Sequence, residues 1–171
     1  MISSRISGFT FLLIAAALLA VSGCKITLSG ASTTPEMKTI TIQYFPNNAS
    51  LVQPTLSQAL TEALKERVIA ETSLQLVDQT GDLSFEGEIT NYAVNPVAIQ
   101  QNETAAMNRL TVTIRIKFTN NVDDKLSYET NFTRYEDYLS TADLTSVEET
   151  LIASINEQLV EDMFNKAFVN W

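Results

Sequence analysis

The run NRLTVTIRIKFTN, Asn108 to Asn120, alternates apolar and polar residues with almost no error. Leu110, Val112, Ile114, Ile116 and Phe118 share one parity, and Arg109, Arg115 and Lys117 fall on the other. That period of two predicts a strand with one face in a core and one in water. A loop around Asn120 to Lys125 returns the chain into LSYETNFTRYEDY, where Leu126, Tyr128 and Phe132 agree in parity, so the two runs read as a hairpin. Upstream, KTITIQY predicts a first strand with Ile40, Ile42 and Tyr44 inward. After the loop FPNNASLVQP, with Pro54 suited to a first helical turn, Leu56, Leu60, Leu64 and Val68 recur every four residues and predict an amphipathic helix. SLQLVD is a short strand candidate. In DLSFEGEITNYAV the inward parity runs Leu83, Phe85, Ile89 and then slips to Tyr92 and Val94, which predicts a bulge near Thr90 and Asn91. Asn95 to Ala106 reads as a polar connection. A last helix, opened by a capping box at Thr145/Glu148 or Ser146/Glu149, turns Val147, Leu151, Ile155, Leu159 and Met163 to one side. From Ser146 to Lys166 it would span about 31 Å. The expected fold is α+β: two helices packed on one face of a mostly antiparallel, about four-stranded sheet, a two-layer sandwich.

The first residues add a location. MISSRISGFTFLLIAAALLAVSGCK has one charge, Arg5, then an apolar run from Phe9 to Val21 that is too short for a bilayer span of roughly 20 residues. A cleaved signal peptide fits it. Val21-Ser22-Gly23-Cys24 resembles the lipobox of bacterial lipoproteins, in which the cysteine is acylated after cleavage. The alternative, a buried thiol beside an ordinary cleavage site, leaves the only cysteine of an exported chain without a partner. The expected organisation is 1–23 signal peptide, 24–37 acylated N-terminus and tether, and 38–171 a single α+β domain. Lys25 is not the aspartate that retains many such lipoproteins in the inner membrane, so the resemblance favours lipid anchoring to the outer membrane, and the lack of an acidic patch after the cysteine argues for its periplasmic side.

Charge and chemistry mostly exclude. The formal net charge of -9 becomes more negative by one when Arg5 is removed with the signal segment, which disfavours nucleic acid as a partner. The absence of histidine from the sequence rules out a Ser-His-Asp arrangement and a histidine-ligated metal. No glycine-rich nucleotide motif is present. Glu86 and Glu88 imitate a catalytic carboxylate pair, but Phe85 and Ile89 assign the opposite parity to the core and leave the two acids solvated. Asp123 and Asp124 lack a calcium-loop ladder and read as turn residues. The expectation is a non-enzymatic protein with no metal and no cofactor beyond acyl groups on Cys24.

Arg109, Arg115 and Lys117 have two accounts. They meet an anionic ligand, each base contributing about 1 kcal/mol near an anionic lipid surface. Or they pair across strands with Glu86, Glu88 or Glu129, at roughly 0.2 to 1 kcal/mol per pair. The residues alone favour pairing slightly and leave both open.

KTITIQYFPNNASLVQPTLSQALTEALKERV, GDLSFEGEITNY, NRLTVTIRIKFTN and FNKAFVNW, in this order behind a lipobox, resemble the LPS-assembly lipoprotein (LptE) family. The resemblance implies two helices on a four-stranded sheet. It also implies an outer-membrane lipoprotein that plugs a large β-barrel translocon (LptD) and helps deliver lipopolysaccharide to the outer leaflet. With that ligand implied, Arg109, Arg115 and Lys117 become candidates to face lipid A phosphates or the barrel wall. Arg134 is a weaker one, since its parity is that of Phe132. Two other readings are a periplasmic lipoprotein that activates a cell-wall synthase and a carboxylate hydrolase using Glu86 or Glu88.

Overall fold

A computed structural model describes residues 33–51, 53–97 and 106–169. The signal segment, Cys24, most of the tether, the connection from 98 to 105 and Trp171 lie outside them. In chain order the elements are β1 (Thr39–Ile42), α1 (Leu56–Glu71), β2 (Gln75–Leu76), β3 (Leu83–Val97), β4 (Met107–Asn120), β5 (Tyr128–Leu139) and α2 (Leu144–Phe168), with a 3₁₀ turn at Asp124–Leu126 before β5. They form one five-stranded sheet in the order β2-β1-β3-β4-β5. The expected fold is the observed one, with the short β2 as a fifth strand.

β1 runs parallel to both neighbours, Ile40 opposite Leu76 and Leu83. A parallel return requires a long crossover, and α1 supplies it. The long strands β3, β4 and β5 are antiparallel, and the β3–β4 register shifts between Ile89 and Asn91, at the expected bulge. α1 lies over β1 and β2 and α2 over β4 and β5, so one sheet face is covered and the other, among the described residues, is open. The helices run the same way: Thr55 and Thr145 line one end of the space between them, and Arg67 sits over the Phe164 ring at the other.

The covered face carries the core. Leu110, Val112, Ile114, Ile116 and Phe118 of β4 are fully buried beneath Leu56, Leu60, Leu64 and Val68 of α1 and Ile155, Leu159, Met163 and Phe168 of α2. Phe85, Phe118, Phe164 and Phe168 contact one another edge to face or tilted, at 4.9 to 6.3 Å between centroids. Each such ring contributes about 1.5–3 kcal/mol by leaving water. Beyond Phe132, β5 turns polar groups to α2: Arg134 makes a bidentate pair with Asp162 (2.6 and 2.5 Å), and Glu136 accepts from Ser154 and Gln158, both at 2.7 Å. Arg134 thus faces the helix layer, as its parity predicts.

Three local expectations are corrected. α2 begins at Leu144, capped by Asp143, whose carboxylate accepts the Thr145 N–H at 3.2 Å. An aspartate in extended backbone satisfies the first turn there before Thr145 or Ser146 can. Pro54 precedes Thr55, the residue that caps α1, and so lies just outside the helix. Tyr44 is 59% exposed because β1 ends at Ile42 and Phe45 turns inward in its place. The chain from Gln43 to Asn48 stays tied to β3 through Gln43 N–H to Phe85 O (3.0 Å), Ile89 N–H to Pro46 O (2.9 Å) and Asn48 N–H to Ile89 O (2.9 Å). Between these ties the Phe45 ring lies on Gly87, and its N–H donates to the buried Thr61 hydroxyl at 3.2 Å. A Cβ on Gly87 would stand 2.5 Å from the Arg115 carbonyl oxygen and 2.7 Å from Phe45 Cε1.

Gly87→Ala is expected to cost about 1–3 kcal/mol by overpacking and to lower Tm by several degrees, because one obstructing atom is backbone. Thermal unfolding of the purified domain checks this, and an unchanged Tm would show that the ring does not rest on the glycine. Asp82 offers a pH test. Its carboxylate accepts the Lys38 N–H, the Thr39 hydroxyl and the Thr39 N–H, each at 2.9 Å, and these bonds, that of Lys38 first, hold its pKa below the ordinary carboxylate value. The stabilisation is therefore present above the unfolded pKa of about 3.9 and disappears as pH falls through the lower folded value. Asp82→Asn should be less stable than the parent at pH 7, and denaturant midpoints should converge as the pH is taken down towards 3.

Candidate functional site

The uncovered face of β3, β4 and β5 is the one broad surface that the two helices leave open among the described residues. β4, hydrogen-bonded on both edges, places Arg109, Thr111, Thr113, Arg115, Lys117 and Thr119 there by alternation. Register then assigns each a neighbour on either side. Lys117 lies between Glu86 and Glu129, Arg115 between Glu88 and Asn131, and Thr113 between Asn91 and Thr133. Thr111 lies between Ala93 and Tyr135, and Arg109 between Asn95 and Asp137.

These rows become contacts. Arg109 donates from Nε to Asp137 Oδ1 at 2.7 Å and from Nη2 to Oδ2 at 2.8 Å, a bidentate pair, while its guanidinium carbon stands 3.7 Å from the Tyr135 ring centroid. This pairing holds the Asp137 carboxyl below its usual range. Arg115 donates to Glu88, which also accepts from Asn48 at 2.5 Å; the Asn48 bond and then Arg115 keep Glu88 below the ordinary carboxylate pKa. Glu86 accepts from Gln43 Nε2 at 3.0 Å. In mid-face the hydroxyls of Thr113 and Thr133 meet at 3.0 Å. Among the described residues no carboxylate lies within 4 Å of the Lys117 ammonium. A shallow cleft of about 400 Å³ beside it is lined by Gln43, Tyr44, Glu86, Glu88, Arg115 and Glu129 among others.

The face therefore carries three bases and four acids, Glu86, Glu88, Glu129 and Asp137, and is close to neutral. The basic stripe of β4 is neutralised by its flanking strands. Of the three acids expected to pair across strands, Glu86, Glu88 and Glu129, Glu88 forms an ion pair, with Arg115. Asp137, which holds Arg109, is the functional neighbour that reading the residues missed. The hairpin register contains it, since Lys117 opposite Glu129 forces Arg109 opposite Asp137. Glu86 and Glu88 are outward and hydrogen-bonded to neighbouring side chains, as expected of solvated acids. Asp123 caps the 3₁₀ turn, its carboxylate accepting the Lys125 N–H at 3.2 Å. Among the described residues no cluster of three or more Asp, Glu, His or Cys side chains is placed to hold a metal.

Fold and surface together define a two-layer α+β module with a polar, charge-balanced sheet face left bare. The chain belongs to the lipopolysaccharide-assembly family LptE, whose model matches residues 37–167. This is a non-enzymatic family of outer-membrane lipoproteins that serve lipopolysaccharide assembly and transport. No described helix is long and apolar enough to cross a membrane. Among solved structures, the chain is similar to a homologue of a neuraminyllactose-binding hemagglutinin from Helicobacter pylori, at 6% identity and TM-score 0.53 over 81% of this chain and 87% of that one. It is also similar to a protein of Xanthomonas campestris, at 12% identity and TM-score 0.50 over 80% and 91%. At these identities both show the fold alone. No curated protein matches the chain.

A double-mutant cycle of Glu88→Gln and Arg115→Gln should return a coupling of about 0.2–1 kcal/mol that shrinks with added salt, the behaviour of an exposed pair. Zero coupling at low salt would mean that the two side chains do not meet in solution.

Proposed function

We propose that this chain is a lipid-anchored plug of the β-barrel through which lipopolysaccharide reaches the outer leaflet, acting as a scaffold and binding element without catalysis. Cys24 carries the acyl anchor in this reading, and stable anchoring takes more than one acyl chain because a single chain is marginal. The observation that carries the reading is the bare sheet face. It is broad, rich in threonine hydroxyls and paired charges, and suited to hydrogen-bond with the polar lumen of a barrel. The face carries mainly hydroxyls and charges, with Tyr135 and Leu139 exposed along β5, so it survives in water before assembly and still offers many donors and acceptors afterwards.

Arg109, Arg115 and Lys117 are the contact bases of this face. Arg109 and Arg115 are already held by carboxylates, which fits barrel polar groups better than a bare phosphate. Lys117 is the base best placed for a lipid A phosphate. The hydrolase reading finds no support in the disposition of Glu86 and Glu88, and no observation favours the synthase-activator reading.

Two measurements test the proposal. The acylated protein, purified in mild detergent, is expected to bring a large outer-membrane β-barrel with it. Thr113→Trp, which puts bulk on the open face and none in the core, should reduce that recovery while leaving Tm within a degree or two; an intact protein that always purifies alone would overturn the plug. For the lipid arm, Arg109→Gln, Arg115→Gln and Lys117→Gln together should weaken binding to purified lipopolysaccharide and flatten its salt dependence. Unchanged affinity and slope would remove the three bases from ligand contact.

A further inference from the structure

The helix layer has an open side too, facing away from the sheet, and there the two parallel helices leave a groove of about 550 Å³ between them. Its walls are small: Ala59, Ala63 and Ala70 from α1, Ala153 and Val160 from α2. Asn156 lines the same groove, although it is only 4% exposed. Its Oδ1 is closed to solvent and has no hydrogen-bond partner among the described residues. A buried, unsatisfied amide oxygen is destabilising, and an aliphatic side chain here would avoid that cost. Around the groove stand Glu66, Glu71 and Glu157, with Glu148 and Glu149 at the far end. Among the described residues the one cation at the rim, Arg67, is taken up by Glu71 at 2.9 Å and by the Phe164 ring.

We propose that this groove docks a helical segment of another protein that carries lysine or arginine along its flanks. The helical form follows from the walls. They offer carbon atoms and a single amide, so an occupant has to satisfy its own backbone N–H and C=O groups, which a helix does. Alanine side chains let its axis approach closely, within the 8–10 Å of packed helices. Ala59 to Ala70 spans about 17 Å, three turns of such a partner. The sign of the partner follows from the rim, where Glu66, Glu149 and Glu157, outside any ion pair among the described residues, would repel an acidic helix, and this strongly acidic chain would repel a second copy of itself. Asn156 lines the floor of the groove, so its side chain is the polar group that a lysine, arginine, asparagine or glutamine of the occupant would meet there. The site is on the layer opposite the bare sheet face, so both surfaces can be occupied at once.

The test places a photoreactive benzoylphenylalanine at Ala63 or at Ala153 of the full acylated chain in cells, with Glu62 on the outer side of α1 as control. Crosslinking at Ala63 and Ala153 should exceed the control about tenfold, and the captured peptide, identified by mass spectrometry, should be helical in its parent protein and net basic. Glu66→Lys with Glu157→Lys should reduce the yield about tenfold, and Glu66→Gln with Glu157→Gln by less, with Tm and barrel recovery unchanged in both. Asn156→Leu should melt no lower than the parent and still crosslink less. Capture of a second copy, of lipid, or of an acidic or uncharged segment would overturn the proposal. So would a yield no higher than the Glu62 control, or one insensitive to charge reversal. Because barrel recovery is read separately, loss of the groove contact and failure of the plug reading are distinguishable.

Discussion

β4 is hydrogen-bonded along both edges, and most of the molecule follows from that constraint. A strand so placed has only two faces to offer. One of them, from Leu110 to Phe118, is apolar enough to require a helix layer over it. The other is polar, yet three of its side chains are cations in a chain with a large excess of acids. Neighbouring strands resolve that by bringing Glu86, Glu88, Glu129 and Asp137 alongside, so the bare face holds a balanced charge pattern without a helix to shield it. Surface pairs of this kind add little stability. Their larger effect is on what can adhere: the face is neither a basic patch nor an apolar one, and a partner has to match it row by row.

The second constraint is local and covalent in origin. Because Gly87 has no side chain, Phe45 can cross β3 and close the end of the core under α1. That forces Tyr44 outward, beside the charged rows of the sheet. Phe45 is thus tied at once to the sheet, its ring lying on Gly87, and to the helix layer, its backbone N–H bonded to the Thr61 hydroxyl. Removing the space at one residue would be felt in both layers.

Much of this was legible in the residues because the signals were long and periodic. The strands β3, β4 and β5, the bulge and the buried stripe of each helix come from periods of two and of about four. What escaped depends on relations between distant segments. Nothing in KTITIQY says that its partners run parallel to it, nor that its pattern ends at Ile42. The partnership of Arg109 with Asp137 needs the register of a whole hairpin, and an error of one residue in the turn would have moved it to the other face. The choice of Asp143 over Thr145 as cap turned on backbone shape at a position where several residues are chemically able. Asn156 carried no visible signal, because on a helical wheel it sits beside Ile152 and Leu159 and reads as a borderline core position. Only the placement of the second helix reveals that it borders a groove.

The shared direction of α1 and α2 has an electrical consequence. Peptide dipoles in helices that run antiparallel largely cancel, but here they add, with roughly half a positive charge at each N-terminus and half a negative one at each C-terminus. The module is therefore polarised along its length, its positive pole near Thr55 and Thr145 and its negative pole near Glu71 and Phe168. Asp143 at the first pole and Lys166 at the second oppose the helix ends they adjoin, so the field is trimmed at both ends of α2 but less so along α1. A charged partner approaching the helix ends would meet this polarity over about a Debye length, roughly 8 Å at physiological salt.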